Sequence, residues 1–289
     1  MWNRIKTAIL LAGLSGLLML FGGLIGGMSG VTYAFVISLV INGLTYFYGD
    51  KLVLSLYRAK PLDRNTYPEI YAMVTELAHK INIPMPKLWI IDSPMANAFA
   101  TGRNPSHASV ALTKGIIELL DRHELRAVIA HELSHIKNRD ILISTIAATI
   151  ATAIGYLASI VRFRAMWGGG LSNNRRNGSQ NPLFLLLAAL LMPLAATLIQ
   201  LALSRSREYL ADDTGADTCE DPLALASALE KLHTNIKTVH LASTDTLHAS
   251  TAPLFIVHPF LRKGLLSLFS THPPMSERIK RLRSRVTTE

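Results

Sequence analysis

The chain contains a single cysteine, Cys219, among its 289 residues, so no internal disulfide can form. A lone cysteine fits a reducing compartment, and a small buried side chain is its simplest role. Charged residues are also scarce, at 17 %, while hydrophobic residues reach 49 %. This balance is too apolar for an ordinary soluble protein of this length, and it predicts membrane segments.

The first long stretch without a charged residue lies between Lys6 and Asp50. It is long enough for two membrane passes of about 20 residues each, and glycine pairs near its middle favour a turn. We expect a retained helical hairpin with spans near 7–28 and 31–48. A cleaved signal peptide is the alternative, but the apolar run is too long and lacks a clear small-residue cleavage site.

Two further apolar stretches, residues 141–161 and 183–203, are uncharged and close to the length of a membrane span. Their connecting loop carries arginines, which the positive-inside tendency disfavours on a translocated side. Two interpretations remain open: helices that cross the bilayer, which the length favours, or a buried helical hairpin that does not cross fully. We expect about four hydrophobic helices in all.

The residues His131-Glu132-Leu133-Ser134-His135 match the pattern H-E-x-x-H. Histidines four residues apart lie on one face of a helix, where both imidazoles can bind one zinc ion. The glutamate after the first histidine then lies where it can take a proton from a water that the metal activates. The alternative is a surface helix with two unrelated histidines, and chance matches to this pattern are rare.

A third protein ligand is needed, and the sequence limits where it can lie. A metzincin motif would continue with glycine and histidine, but Asn138 and Ile141 occupy those positions. No carboxylate occurs between Ile141 and Arg207, so Glu208 is the first downstream candidate. Asp212 lies one helical turn later, and we predict that it accepts a hydrogen bond from a ligand imidazole.

The positions of the apolar runs support this ligand set. His135 lies shortly before the third run begins, and Glu208 lies shortly after the fourth run ends. An antiparallel pair of helices would bring His135 and Glu208 close together at the open end of the hairpin. Such convergence is what a shared zinc site requires.

The net charge of +9 and the pI near 9.8 raise the question of nucleic-acid binding. The basic residues cluster instead beside the ends of the apolar runs, as Lys51, Arg58 and Lys60 do. This distribution is typical of a cytoplasmic membrane face that meets anionic lipid. We therefore expect a lipid bilayer as a partner and no nucleic acid, while the H-E-x-x-H pattern predicts polypeptide substrates.

The remaining segments predict a small sheet and several helices. Residues 87–92, 97–101 and 109–113 have strand character, and residues 67–82 show helical periodicity. The H-E-x-x-H helix meets no proline or glycine before Gly155, so it could continue into the third apolar run. The expected organisation is a transmembrane hairpin (1–50), a protease part with the sheet and the H-E-x-x-H helix (51–140), a second hydrophobic hairpin (141–204), and a protease part with the third ligand and a basic C-terminal helix (205–289).

Five features recur together in one protein family. They are the N-terminal hydrophobic hairpin, Asn97-Ala-Phe-Ala-Thr-Gly102, Ala130-His-Glu-Leu-Ser-His-Ile-Lys-Asn-Arg-Asp140, Glu208-Tyr-Leu-Ala-Asp212 and Thr271-His-Pro-Pro274. The chain resembles the HtpX-like family of membrane zinc proteases, which is related to the CAAX prenyl endopeptidases. The resemblance runs over nearly the whole chain.

The resemblance implies a mainly α-helical integral membrane protein with a small β-sheet in a cytoplasmic, gluzincin-type zinc protease domain. It implies one Zn²⁺ per subunit on His131, His135 and Glu208, with Glu132 as general base. It also implies a bacterial inner-membrane, multi-pass protein that cuts misfolded or damaged membrane proteins in stress-linked quality control, alongside other quality-control proteins. The residues implied to form the substrate-holding edge strand are Asn97, Ala98, Phe99 and Ala100.

His272 is a second catalytic candidate. The prolines after it fix a turn that could aim its imidazole, and the resemblance implies a position near the active site. A donor close to the zinc would stabilise the oxyanion that develops when water adds to a peptide carbonyl. An ordinary surface histidine on a turn is the alternative, and Arg278 follows shortly after it.

Three other functional classes share some of these sequence features. An intramembrane protease would place the motif inside an apolar span, but charged residues such as Asp121 and Arg122 precede it. A CAAX-type processing protease of one dedicated substrate shares the motifs, although the resemblance implies more spans, enclosing a chamber, for such an enzyme. A non-catalytic membrane zinc scaffold has no need of Glu132, so Glu132→Gln separates it from a protease.

Overall fold

The computed structural model describes residues 2–147, 149, 205–239 and 273–286. Residues 141–147 are helical, and residues Pro105–His107 form one 3₁₀ turn. The described part is mostly helical with one small sheet, as the sequence predicts. Its elements in chain order are α1 (Trp2–Leu56), β1 (Lys60–Pro61), α2 (Pro68–Lys80), β2 (Lys87–Ile91), β3 (Ala98–Gly102), β4 (Ala108–Thr113), α3 (Lys114–Leu119), α4 (Arg122–Lys137), α5 (Arg205–Cys219), α6 (Pro222–Val239) and α7 (Met275–Ser284).

The long helix α1 folds back on itself at Gly26 and Gly27, where the backbone leaves the helical region and Gly27 adopts a φ of 57°. Asn42 in the second arm donates hydrogen bonds to the Ser15 hydroxyl (2.8 Å) and the Leu11 carbonyl (3.3 Å) of the first arm. The turn in the glycine-rich middle of the first apolar run is thus confirmed. Among the described helices, residues 26–56 are long and apolar enough to cross a membrane.

The sheet has the strand order β1-β2-β4-β3. Strand β4 pairs in parallel with β2 and antiparallel with β3, which places β3 at one edge. The three predicted strands are therefore confirmed. The sequence does not reveal β1, because two residues that include Pro61 carry no alternating pattern. Every residue of β3 is buried despite its edge position, since helices cover it.

The helix α4 lies at the centre of the fold and packs on α2, α5, α6 and β3. Its start is fixed by a capping box: Asp121 accepts from the Glu124 N–H at 3.0 Å, and the Glu124 carboxylate accepts from the Asp121 N–H at 3.0 Å. Glu124 also accepts bonds from Ser227 and Lys231 of α6. The Glu124 carboxylate therefore caps the start of α4 and also binds α6 to it through hydrogen bonds.

The helix that carries the two histidines does not continue into the third apolar run. It ends at Lys137, and Arg139 adopts a φ of 56°, a left-handed conformation that few side chains take. A new helical segment begins at residue 141. The expectation of a continuous helix is therefore wrong, and the break has no glycine or proline to mark it.

The C-terminal basic helix is confirmed as α7, which packs on α5 and α6. Its apolar side buries Leu282, while Arg281 and Arg285 pair with Asp213 of α5. Most of the second predicted hydrophobic hairpin and the turn with His272 lie outside the described residues.

Candidate metal centre

Three side chains of α4 and α5 converge at one point. The Nε2 atoms of His131 and His135 are 3.2 Å apart, and each lies 3.8 Å from a carboxylate oxygen of Glu208. Zinc bound tetrahedrally to ligands at about 2.0–2.1 Å sets those ligand atoms roughly 3.3 Å apart. The spacing and the donor types therefore fit a small divalent cation.

The candidate site is closed on one side and partly open on the other. His131 and Glu208 are 1 % and 6 % exposed, whereas the His135 side chain is 17 % exposed. A purely structural zinc site is enclosed by four protein ligands, while a catalytic one keeps a position free. This site has three protein donors and is accessible to solvent near His135, so it matches a catalytic zinc site.

A carboxylate stands behind each imidazole. His131 Nδ1 lies 3.0 Å from Asp212 Oδ1, and His135 Nδ1 lies 3.0 Å from Asp140 Oδ2. Such partners hold the ring orientation and the tautomer that presents Nε2 to a metal. The sequence indicates Asp212 but not Asp140, because Asp140 reaches back to His135 only where α4 ends.

Arg278 of α7 is fully buried against this cluster. It donates two hydrogen bonds to Asp212, from Nε at 2.7 Å and from Nη2 at 2.5 Å, and its Nη1 lies 3.5 Å from Glu208. Burial would raise the pKa of Asp212, but the guanidinium of Arg278 keeps that pKa below its usual range. Asp212 is therefore ionised where it faces His131.

The carboxylates around His135 make the cluster attractive to a cation. Burial would lower the pKa of His135, but the carboxylates of Asp140, Glu208 and Glu132 outweigh it and raise that pKa to about 10. Without a metal, His135 thus favours its protonated form. A bound dication can replace that positive charge.

Glu132 lies between α4 and β3 and is 4 % exposed. Its burial raises the pKa of the carboxyl group, while the two histidines and a hydrogen bond from the Ala100 N–H lower it. A glutamate with a raised pKa can accept and return a proton near neutral pH. The carboxylate is thus in contact with the edge strand and electrostatically coupled to both histidines.

Gly215 sets how closely α5 approaches α4. A Cβ atom at this position would lie 2.9 Å from the Cα of His131 and 3.0 Å from its backbone nitrogen. Any side chain would push the two helices apart and move Glu208 away from the histidines. Sequence reasoning missed this residue, because a single glycine in a helix indicates no particular contact.

The residues predicted to hold substrate lie at the sheet edge beside Glu132. Ala98, Phe99 and Ala100 belong to β3, and Asn97 precedes it, with its carbonyl accepting from the Thr113 N–H at 3.0 Å. The Phe99 ring packs against Tyr57 at a centroid distance of 5.2 Å. Its side chain therefore contributes to the core, and its main-chain groups face β4, so an added strand would pair with the neighbouring residues Ala98 and Ala100.

Residues 64–286 match the model of peptidase family M48. The chain is 48 % identical over 284 residues to a protease HtpX homolog of Syntrophobacter fumaroxidans. This match covers 98 % of the chain and 100 % of the relative. The chain is also 48 % identical over 282 residues to a protease HtpX homolog of Burkholderia thailandensis, covering 98 % and 96 %.

The fold is similar to the crystal structure of S. mikatae Ste24p, with a TM-score of 0.53 and 22 % sequence identity. That match covers 97 % of this chain, and the chain spans 64 % of the length of Ste24p. M48 peptidases are metalloproteases, and the group of His131, His135 and Glu208 could hold their metal. The family match over most of the sequence and the relatives over nearly all of it show that the chain belongs to peptidase family M48, as a protease of the HtpX type.

Proposed function

We propose that the protein is a zinc-dependent, membrane-bound endopeptidase. The observation that carries this proposal is the convergence of two imidazoles and one carboxylate within 4.8 Å, with Glu132 buried beside them. His131, His135 and Glu208 are the proposed ligands of one Zn²⁺. Asp212 and Asp140 orient the two imidazoles, and Arg278 orients Asp212.

A zinc ion held there supplies Lewis-acid polarisation of the scissile carbonyl and lowers the pKa of water. Glu132 takes the proton from the attacking water as its oxygen bonds to the carbonyl carbon. The C–N bond then breaks, and Glu132 passes that proton to the leaving amine. Burial of the carboxyl group and its bond from the Ala100 N–H keep it beside the edge strand for both transfers.

The proposed substrate is an extended polypeptide that adds as a strand along β3. Pairing through main-chain groups selects little among side chains, which suits an enzyme that meets many misfolded sequences. Its edge position and its contact with Glu132 support β3 as the docking strand. His272 remains a proposed donor to the developing oxyanion.

The proposed location is the bacterial inner membrane, with the metal centre on the cytoplasmic side. The apolar helix 26–56 supports membrane insertion, and most of the large hydrophobic side chains that are exposed in the described part lie on α1. The proposed organisation is two hydrophobic hairpins, 1–50 and 141–204, that alternate with the two protease parts, 51–140 and 205–289. Clusters of basic residues beside the apolar runs support the orientation.

The proposed substrates are misfolded or damaged membrane proteins, cleaved in cytoplasmic loops or extracted segments during stress-linked quality control. The charged start of α4 supports cleavage outside the bilayer, since Asp121, Arg122 and Glu124 would not lie within lipid. Main-chain pairing along β3, which selects little among side chains, supports a general protease over a dedicated processing enzyme.

The decisive experiment measures cleavage of a detergent-solubilised membrane protein by the purified full-length chain, with zinc, with chelator, and with zinc restored. We expect activity only with zinc. Glu132→Gln should retain stoichiometric zinc and lose cleavage, because the metal ligands are intact while the proton acceptor is gone.

Glu118→Gln is the matched control, because Glu118 is exposed on α3, away from the metal centre. It should cleave like the wild type. A zinc-loaded wild type without activity would support a scaffold instead, and cleavage by Glu132→Gln at the wild-type rate would remove the proposed base.

A further inference from the structure

The main-chain groups of β3 alternate between the sheet and the open edge. The Thr113 N–H donates to the Asn97 carbonyl, and the register pairs Ala98 with Leu112 and Gly102 with Ala108. In an antiparallel pair, neighbouring residues turn their N–H and C=O groups in opposite directions. The groups of Ala98, Ala100 and Gly102 therefore point away from β4, towards an added strand.

These three residues differ in how far the fold already engages their main-chain groups. The Ala100 N–H lies towards Glu132, while the Ala100 carbonyl points to the open edge. The Gly102 N–H donates to the Thr145 hydroxyl at 3.1 Å, and the Gly102 carbonyl lies 3.5 Å from the same oxygen. The edge that an incoming strand can use thus ends before Gly102.

Thr145 is held firmly in this position. Its hydroxyl contacts the Thr101 hydroxyl at 2.8 Å and donates to the Ile141 carbonyl at 2.7 Å, and the residue is 2 % exposed. The helix α1 approaches from the other side, where a Cβ atom at Gly49 would lie 3.2 Å from the Thr145 methyl group. Thr145 therefore has no room to swing away when a substrate arrives.

We infer that Thr145 is a specificity-determining residue that ends the substrate-binding edge at Gly102. This inference rests on the proposed function and on strand addition to β3. A strand that adds antiparallel to β3 runs from Gly102 towards Ala98, so its N-terminal part meets Thr145. Main-chain pairing covers the positions opposite Ala98 and Ala100, and substrate residues further towards the N-terminus have no partner strand.

The test uses one cleavage site, mapped in casein by mass spectrometry, as the basis for a series of synthetic peptides. The peptides grow by single residues on the N-terminal or the C-terminal side of the scissile bond. For the zinc-loaded wild type, kcat/KM should stop rising on the N-terminal side once the position opposite Ala100 is filled.

Thr145→Ala removes the hydroxyl and frees Gly102, so peptides long enough to pair there should gain about fivefold in kcat/KM over shorter ones. Thr145→Ser keeps the hydroxyl and should reproduce the wild-type profile. Bound zinc should stay at one ion per chain in both variants, because Thr145 does not touch the proposed ligands, and this measurement reports that the variants are folded.

A wild-type rate that keeps rising with further N-terminal residues overturns the inference, as does an unchanged profile in folded Thr145→Ala. If Thr145→Ala does not fold, the wild-type length profile decides alone. Absence of zinc-dependent cleavage in the wild type is a different result, since it refutes the proposed function and the inference with it.

Discussion

Asp140 Oδ2 lies 3.0 Å from His135 Nδ1 across the break that follows α4. The contact exists because the chain turns sharply at Arg139, so a residue five positions after the histidine returns to its ring. The break in the helix therefore belongs to the metal centre, since it supplies the carboxylate that orients the more exposed of the two imidazoles.

Asp140→Asn should lower the affinity for zinc about 10–100-fold, because an amide holds the imidazole less firmly and withdraws a negative charge. Competition with a fluorescent chelator measures this change. Asp92→Asn, an exposed carboxylate paired with Lys114, should leave the zinc affinity unchanged. Equal affinities of Asp140→Asn and the wild type would show that Asp140 has no part in metal binding.

Glu208→Ala should lose most of its zinc, because two imidazoles alone hold the ion weakly. The zinc content of the purified variant, measured by mass spectrometry of the metal, checks this expectation. Glu220→Ala, just after α5, removes an exposed ion pair with Lys80 and should keep its zinc. Stoichiometric metal and full activity in Glu208→Ala would make the ligand assignment wrong.

Gly215→Ala should separate α5 from α4 and weaken zinc binding, because the added methyl group meets the backbone of His131 at 2.9 Å. Overpacking of this kind costs about 1–3 kcal/mol in the free energy of unfolding. Chemical denaturation and zinc titration measure the two effects. Gly43→Ala, which meets nothing within 4 Å, should cause neither.

Arg278→Met should destabilise the protein by about 3–5 kcal/mol, because it leaves the buried carboxylate of Asp212 without its counter-charge. Thermal unfolding of the zinc-loaded protein checks the effect, and adding Asp212→Asn to Arg278→Met should restore part of the stability. Arg283→Met is the control: it removes an exposed pair with Glu230 and should cost less than about 1 kcal/mol.

Cys219 should resist alkylation by N-ethylmaleimide at pH 7 in the native protein and react fully after denaturation. It is 7 % exposed, and burial raises the pKa of its thiol, so little reactive thiolate forms. Mass spectrometry of the labelled chain counts the adduct. Rapid labelling of the native protein would show that the end of α5 opens in solution.

The sequence predicts the parts of the site that lie within short motifs. His131, Glu132 and His135 follow from helical spacing, and Glu208 follows because no carboxylate lies between Ile141 and Arg207. Three of the four strands follow from their composition and from the turns between them. These features depend on local chemistry, which a single sequence expresses directly.

The parts that the sequence does not predict depend on contacts between distant segments. Arg278 reaches Asp212 only because α7 packs on α5, and Gly215 matters only because α4 passes next to it. Arg139 is neither glycine nor asparagine, so the sequence does not indicate its left-handed conformation. The contact between Asp140 and His135 across this break helps to stabilise a conformation that arginine alone disfavours.

The contact between Arg278 and Asp212 also determines when the metal centre is completed during synthesis of the chain. α7 is the last described element to leave the ribosome, long after both histidines and Glu208 have been made. Until it arrives, Asp212 has no guanidinium to hold it against His131. A nascent chain therefore contains every proposed zinc ligand before Arg278 is present to orient Asp212. Under the proposed function, the chain becomes able to hydrolyse peptide bonds only once α7 has docked.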